Sequence, residues 1–233
     1  MRPVIGIPLK YEHINDGRPI LYLGERVRRT LQKAGADIFL LVPVQDINYM
    51  DVRAKGFPEL TEEEKKVISD NLDKCDGIFF PGGYKFTPYD RYLLEIAIKK
   101  EIPILGICLG MQMMSCYKLD NFKLEDVEKH KQENDLELTH KVKINKDSIL
   151  YKIIGKEEIM VNSFHKKMAC SNNFYKTVAT SEDGVIEAIE YPGKAFNIGV
   201  QWHPEISYDF DDNSKMIIDY FIKEAKNKKS VDK

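Results

Sequence analysis

Cys108, His203 and Glu205 are the residues of this chain whose types and surroundings could carry covalent chemistry. Cys108 stands in Gly106-Ile107-Cys108-Leu109-Gly110, behind the apolar run Ile102-Pro103-Ile104-Leu105 and ahead of Met111-Gln112-Met113-Met114. A buried strand that passes at once into a helix must turn sharply. Glycine on either side of the turning residue lets the backbone approach closely, and that residue is pushed out at the top of a sheet. This is the nucleophile-elbow pattern, with cysteine where hydrolases usually carry serine. The start of a helix favours negative charge, and the thiolate is the nucleophilic form of cysteine. Taken alone, a cysteine is more often a buried, inert thiol; the later histidine and carboxylate argue against that here.

Gly199-Val200-Gln201-Trp202-His203-Pro204-Glu205 supplies both groups. His203 would take the proton from Cys108 and hand it to a leaving amine. Glu205 would hold the imidazole in the required tautomer, as the third member of a triad does. Pro204 fixes the backbone between them, so a carboxylate two residues on can fold back towards the ring. A third segment, Pro81-Gly82-Gly83, follows an apolar stretch. Side-chain-free backbone can aim N–H groups into a cleft. Gly83 and Leu109 would then form an oxyanion hole. Pro-Gly-Gly by itself is equally a tight turn.

The elements that must position these groups can be read from periodicity. Val4–Pro8, Ile38–Val42, Gly77–Phe80 and Ile102–Ile107 read as buried strands. Leu21–Ala34, Thr61–Leu72 and Tyr89–Lys100 carry helical apolar spacing, and Thr61 with Glu64 forms a capping-box signature. A β-α-β-α order implies a parallel sheet covered by helices on both faces. Ligands bind beyond the carboxyl ends of such strands, where Gly82-Gly83 and Cys108 both fall. Residues 117–135 are polar and charged and read as a loop or lid. Short alternating runs follow: Leu138–Ile144, Glu158–Val161, Tyr175–Thr180, Val185–Tyr191 and Ala195–Gln201. Asn213–Lys226 reads as a closing helix, and the lysine-rich end from Lys223 as its fraying turn and a solvated tail. The fold class expected is α/β, a parallel-core mixed sheet flanked by helices. With neither a repeat nor a low-complexity linker, residues 1–233 are expected to be one domain.

The 233 residues carry 35 Lys and Arg against 37 Asp and Glu, a formal charge of −2, so no global field draws the chain to nucleic acid or membrane. No apolar run approaches the roughly 20 residues of a membrane span, and Met1–Pro8 is too short and punctuated for a signal peptide. The four cysteines show no metal-ligand spacing, so no metal, no disulfide and a cytoplasmic setting are expected.

Four segments together resemble the class I (triad) glutamine amidotransferases and their stand-alone γ-glutamyl hydrolase relatives, in the peptidase C26 branch. They are Phe80–Gly83, Gly106-Ile107-Cys108-Leu109-Gly110-Met111-Gln112, Val161-Asn162-Ser163-Phe164-His165 and Gly199–Glu205. The resemblance implies a flavodoxin-like fold and a Cys108–His203–Glu205 triad, with oxyanion donors from the backbone of Gly83 and Leu109. It implies a γ-glutamyl pocket lined by Gly82, Gln112, Ser163, Phe164 and His165. The implied reaction forms a γ-glutamyl thioester, which water hydrolyses, with no cofactor.

The opening Arg2–Pro8 looks like the stand-alone hydrolases that act on γ-glutamyl-γ-aminobutyrate. Leu109 after the nucleophile, where that branch usually has arginine, looks instead like the synthase-associated glutaminases. Lys85-Phe86-Thr87-Pro88 also replaces the usual Asp-Ile-x-Pro. Three readings therefore stand: a stand-alone hydrolase of γ-glutamyl amides, a glutaminase subunit feeding a separate synthase partner, and a catalytically silent regulatory relative. The expected partner is a small-molecule γ-glutamyl substrate; homo-oligomerisation stays open.

Overall fold

Nine strands drawn from Val4 to Val200 join one sheet in this computed structural model, which describes residues 1–15, 17–48, 56–120 and 123–231. In chain order the strands are β1 (Val4–Pro8), β2 (Lys10–His13), β3 (Pro19–Tyr22), β4 (Asp37–Leu41), β5 (Gly77–Phe80), β6 (Ile104–Ile107), β7 (His140–Ile144), β8 (Glu158–Val161), β9 (Lys176–Ser181), β10 (Ile186–Glu190) and β11 (Asn197–Val200). The helices are α1 (Glu25–Lys33), α2 (Glu62–Leu72), α3 (Pro88–Lys99), α4 (Leu109–Ser115), α5 (Ile149–Ile154), α6 (Pro204–Ser207) and α7 (Asp212–Val231).

The large sheet runs β4-β1-β5-β6-β11-β10-β9-β7-β8. Its first five strands are parallel, and the remaining four form an antiparallel wing. The parallel-core mixed sheet expected from the sequence is therefore the observed architecture. β6 lies inside the sheet, between β5 and β11, in register Phe80↔Gly106 and Val200↔Ile107. That pairing brings the ends of three strands together. Cys108, Pro81 and Gln201 each follow such an end.

Strand periodicity divides the core in two. In β5 the side chains of Ile78 and Phe80 enter one apolar cluster and Phe79 enters the other. Ile5, Ile7, Phe79 and Phe221 pack on the face covered by α1 and α7. Ile68, Leu72, Leu93, Leu94 and Met111 pack on the face covered by α2, α3 and α4. Each fully buried phenylalanine contributes about 1.5–3 kcal/mol relative to exposure. α2 begins with the expected capping box, the Thr61 hydroxyl accepting from Glu64 N–H and the Glu64 carboxylate accepting from Thr61 N–H. Thr87 and Asp90 make a second one at α3. Such a cap stabilises a helix by ~1 kcal/mol.

One expectation requires correction. Leu21 and Tyr22 belong to strand β3, not to a helix, because they pair with Tyr11 and Lys10 in a separate hairpin. The helix starts only at Glu25, after the extended Gly24. A helix at 149–154 was not anticipated, although Ser148 caps its first turn and Gly155 at φ +71° ends it. The segment 117–135, of which residues 121 and 122 lie outside the described residues, is largely irregular. It pairs with the chain near the site through bridges Asp126↔Lys167 and Lys131↔Phe164. Among the described residues no helix is long and apolar enough to cross a membrane.

Candidate active site

Cys108 sits between β6 and α4 with φ +50° and ψ −103°. A residue with a Cβ is rarely held there, at an energetic cost of order 1–3 kcal/mol. The surroundings impose the turn. Cys108 N–H donates to Val200 C=O at 2.8 Å, and Cys108 C=O accepts from Gln112 N–H at 2.9 Å. The flanking glycines explain how helix and sheet come so close. A Cβ on Gly106 would lie 2.2 Å from Met114 Sδ, and one on Gly110 would lie 2.3 Å from the Phe80 carbonyl oxygen.

His203 precedes the single turn α6, and Pro204 occupies its first helical position. His203 Nδ1 lies 2.7 Å from Glu205 Oε1. The Glu205 side chain is 5% exposed and that of His203 is 14% exposed, so the pair is sheltered while the imidazole still reaches the cleft. Burial opposes a charge on His203. The negative charges of Glu205 and Cys108, and hydrogen bonds to both, outweigh it and hold the imidazole well above its ordinary value. His203 is thus bonded to Glu205, and Cys108 lies near the imidazole beside Gly82.

Gly82 and Gly83 border the same set. A Cβ on Gly82 would lie 2.7 Å from His203 Cε1 and 3.7 Å from Cys108 Cβ. A Cβ on Gly83 would lie 3.2 Å from Leu109 Cδ2 and 3.4 Å from Lys10 Cγ. Gly83 and Leu109 are therefore neighbours. Leu109 is the first helical residue, so its N–H has no partner within the helix.

The expected pocket residues separate into two groups. Phe164 meets the catalytic side, its ring edge-on to His203 at 5.6 Å. The polar side chains of the others are engaged by protein. Gln112 Nε2 donates to Lys167 C=O at 2.8 Å and to Gln201 Oε1 at 3.2 Å. Ser163 Oγ donates to His130 C=O at 2.6 Å. His165 Nδ1 donates to Lys167 C=O at 3.0 Å, and its ring packs against His130, with no hydrogen bond to Cys108, His203 or Glu205. The His165 side chain is thus turned into a second polar cluster, away from the triad.

Two contributors were not singled out from the sequence. Asn162 Nδ2 donates to the His203 carbonyl and Asn162 Oδ1 accepts from the His203 N–H, both at 2.8 Å. Lys10 packs its stem on Gly83 and sets Nζ 2.8 Å from Asp90 Oδ1, both side chains under 5% exposed. Asn162 falls within the quoted motif Val161–His165, but nothing local reveals its target. Lys10 carried no signal.

The model of the family described as peptidase C26 matches residues 88–205. The chain is 26% identical over 191 residues to a γ-glutamyl-γ-aminobutyrate hydrolase of Escherichia coli O157:H7, covering 68% of this chain and 75% of that one. It is 29% identical over 164 residues to a subunit of the glutamine-hydrolysing GMP synthase of Methanococcus maripaludis, covering 70% and 80%. Among solved structures, the glutaminase domain of Trypanosoma brucei CTPS with bound acivicin superposes with a TM-score of 0.63 at 18% identity, over 97% of this chain and 94% of that one. The stretch matched by the family model begins with α3 and ends at Glu205, and so contains the elbow, the histidine and its carboxylate: the chain belongs to the peptidase C26 family of class I glutamine amidotransferase-like hydrolases.

Proposed function

We propose that this chain is a stand-alone hydrolase of γ-glutamyl amides, acting through a Cys108–His203–Glu205 triad. The observation that carries the reading is the strained elbow at Cys108 beside an imidazole already bonded, at 2.7 Å, to a buried carboxylate. A cysteine held at φ +50° is costly unless its position is used. The similarity to a γ-glutamyl-γ-aminobutyrate hydrolase supports the substrate class.

In this mechanism the Cys108 thiolate, paired with the His203 imidazolium, attacks the δ-carbonyl carbon of a γ-glutamyl amide. The C–S bond forms and the oxyanion is met by the N–H groups of Gly83 and Leu109. The C–N bond breaks as His203 gives its proton to the departing amine. Neutral His203 then takes a proton from water, which attacks the thioester. Glutamate leaves, and the thiolate–imidazolium pair returns. Glu205 holds His203 Nδ1–H throughout, so Nε2 is the nitrogen that exchanges the proton. Gly82, lacking a side chain, keeps the approach to His203 open. Phe164 forms the wall beside the imidazole, while Gln112 is tied to the same segment through Lys167. We assign residues 1–233 to one such domain, working in the cytoplasm.

A second reading, a glutaminase that hands ammonia to a synthase, is favoured by Leu109 in place of arginine and by the similarity to a subunit of a glutamine-hydrolysing GMP synthase. Amine release from γ-glutamyl-γ-aminobutyrate and from glutamine, each with Cys108→Ala as control, separates the readings. Turnover of the conjugate that disappears in Cys108→Ala is expected. Activity on neither substrate alone, with recovery on adding a synthase partner, would replace the first reading by the second. Activity that survives Cys108→Ala would remove both.

A further inference from the structure

A second buried polar cluster lies behind the Ser163–His165 segment. Its centre is Glu187 on β10, whose side chain is fully buried. Three imidazoles converge on one oxygen of that carboxylate. His130 Nδ1, His140 Nε2 and His165 Nε2 lie 3.4, 3.1 and 3.6 Å from Glu187 Oε1. The donor atoms of His130, His140 and Glu187 all fall within 4.8 Å of one another. The proposed triad uses none of these residues.

The hydrogen bonds on the outer side of the rings decide what the inner side can be. His165 Nδ1 faces the Lys167 carbonyl, which can only accept, so Nδ1 carries the hydrogen. His130 Nε2 faces the Asp183 carboxylate at 3.1 Å, and Asp183 is itself held by the Ser181 hydroxyl. His130 Nδ1 and His165 Nε2, the inner nitrogens, both face the Glu187 carboxylate. His130 Nδ1, His165 Nε2 and Glu187 Oε2 are buried and have no hydrogen-bond partner in the protein. A buried carboxylate ringed by imidazoles needs positive charge among them, from protons on the rings or from a bound cation.

We propose that His130 Nδ1, His140 Nε2 and the Glu187 carboxylate form a site for a divalent transition metal, with His165 Nε2, 3.6 Å from Glu187 Oε1, as the nearest further donor and Zn²⁺ the best match to imidazoles and a carboxylate. Zinc bonds of about 2.0–2.2 Å to such donors place neighbouring ligand atoms roughly 3.4 Å apart in a tetrahedron. The three distances to Glu187 Oε1 bracket that value. The outer partners are those that orient metal-bound histidines: a carboxylate for His130 and a backbone carbonyl for His165. An entry route exists. A surface pocket of about 230 Å³ opens onto His130 and His140 between Lys129, Lys141 and Asp183. The two lysines oppose a cation only at the mouth, where solvent and salt screen them.

The ligands come from four separate segments: the irregular strap at 130, β7 at 140, the wall segment at 165 and β10 at 187. A metal there would clamp the strap over the wall. The wall reaches the triad through Phe164, whose ring meets His203. This inference does not depend on the hydrolytic reading.

The test uses full-length, tag-free protein stripped with chelator and then titrated calorimetrically with ZnCl₂. One Zn²⁺ per chain with a dissociation constant tighter than ~1 µM is expected. Cobalt(II) in its place should give the visible absorption of a tetrahedral site. His140→Gln, at the most exposed ligand, and His165→Gln should each weaken binding at least ~10-fold. Cys108→Ala should leave it unchanged, which excludes capture by the thiol. Three results would each overturn the proposal. One is no stoichiometric uptake, with nitrogen NMR finding both nitrogens of His130 and His165 protonated. Another is uptake that persists in both histidine variants. The third is uptake lost in Cys108→Ala.

Discussion

Asn162 grips His203 by its backbone, accepting from the His203 N–H and donating to the His203 carbonyl, each at 2.8 Å. The asparagine is fully buried at the end of β8, and its Nδ2 also reaches Ser207 Oγ at 3.2 Å in α6. The position of the imidazole relative to Cys108 is thus set by the antiparallel wing as well as by β11. Replacing Asn162 by Leu would strand two backbone groups of His203, at about 1–3 kcal/mol for each one left unsatisfied. It would also loosen the proton-transfer geometry, where a displacement of about 1 Å costs on the order of 10²-fold in rate. Steady-state kinetics should find kcat lowered about that much with KM nearly unchanged. A raised KM with kcat unchanged would assign Asn162 to substrate binding.

The pH dependence follows from the ion pair. Glu205 and Cys108 overcome the effect of burial and raise His203 well above 6.5. A histidine raised on folding contributes stability that is complete below its unfolded value and is lost as pH rises through its folded value. The imidazolium is also the acid that protonates the leaving amine, so activity should fall on the alkaline side. Glu205→Gln removes the largest of the raising influences and leaves the desolvation. The alkaline limb of kcat/KM should move to lower pH, and kcat should drop by on the order of 10³–10⁴-fold. An alkaline limb that stays in place in Glu205→Gln would mean that another group sets it.

How much of this was legible in the chain depends on how local each cause is. The elbow is local: Gly106 and Gly110 flank Cys108 because Met114 and Phe80 would otherwise collide with a side chain. His203 and Glu205 are two residues apart, so their bond could be inferred from spacing. Lys10 and Asp90 meet across 80 positions, and Asn162 and His203 across 41. No periodicity encodes such pairs. The end of β3, Leu21 and Tyr22, falls within the helical reading because Leu23, Val27 and Leu31 just beyond it recur every four residues. Cross-strand pairing of Tyr11 with Leu21 decides against it. The histidine cluster escaped for the same reason as Lys10. Its members share no local spacing and are joined only by the wing.

Gly82 and Gly110 should respond differently to a methyl group. At Gly110 the new Cβ would lie 2.3 Å from the Phe80 carbonyl oxygen, which is backbone and cannot rotate away. Forced overpacking of this kind costs about 1–3 kcal/mol or more, and a chain of this length loses roughly 2–4 °C of melting temperature per kcal/mol. At Gly82 the clash, 2.7 Å, is with His203 Cε1, a side-chain atom. The ring is held by Glu205 and bordered by Phe164, so it would be displaced from its working position. Gly82→Ala should therefore keep most of its melting temperature and lose activity, whereas Gly110→Ala should lose melting temperature first. Differential scanning calorimetry beside amide hydrolysis would distinguish them. A Gly82→Ala enzyme as active as the parent would place the reacting carbonyl elsewhere.

Alkylation offers a direct reading of the nucleophile, because the other thiols are separated from it by chemistry. Burial pushes the Cys75 thiol up to about 12, and burial with the neighbouring Cys170 pushes Cys116 up to about 12 as well. Near neutral pH each is then almost wholly protonated and unreactive. Cys170 is partly exposed, 3.7 Å from Cys116, and would compete, so the measurement belongs in Cys170→Ser protein. Cys108 opens on the Gly82 side, next to an imidazole that can hold its proton. Iodoacetamide at neutral pH should then add one label per chain, on Cys108, with a parallel loss of hydrolysis. His203→Ala should slow that labelling, since the proton acceptor is gone, without exposing Cys75 or Cys116. Labelling at Cys75 or Cys116 ahead of Cys108 in folded protein would contradict the assignment of Cys108 as the nucleophile. Labelling of Cys108 at the same rate in His203→Ala would leave the thiol reactive on its own and remove His203 from its activation.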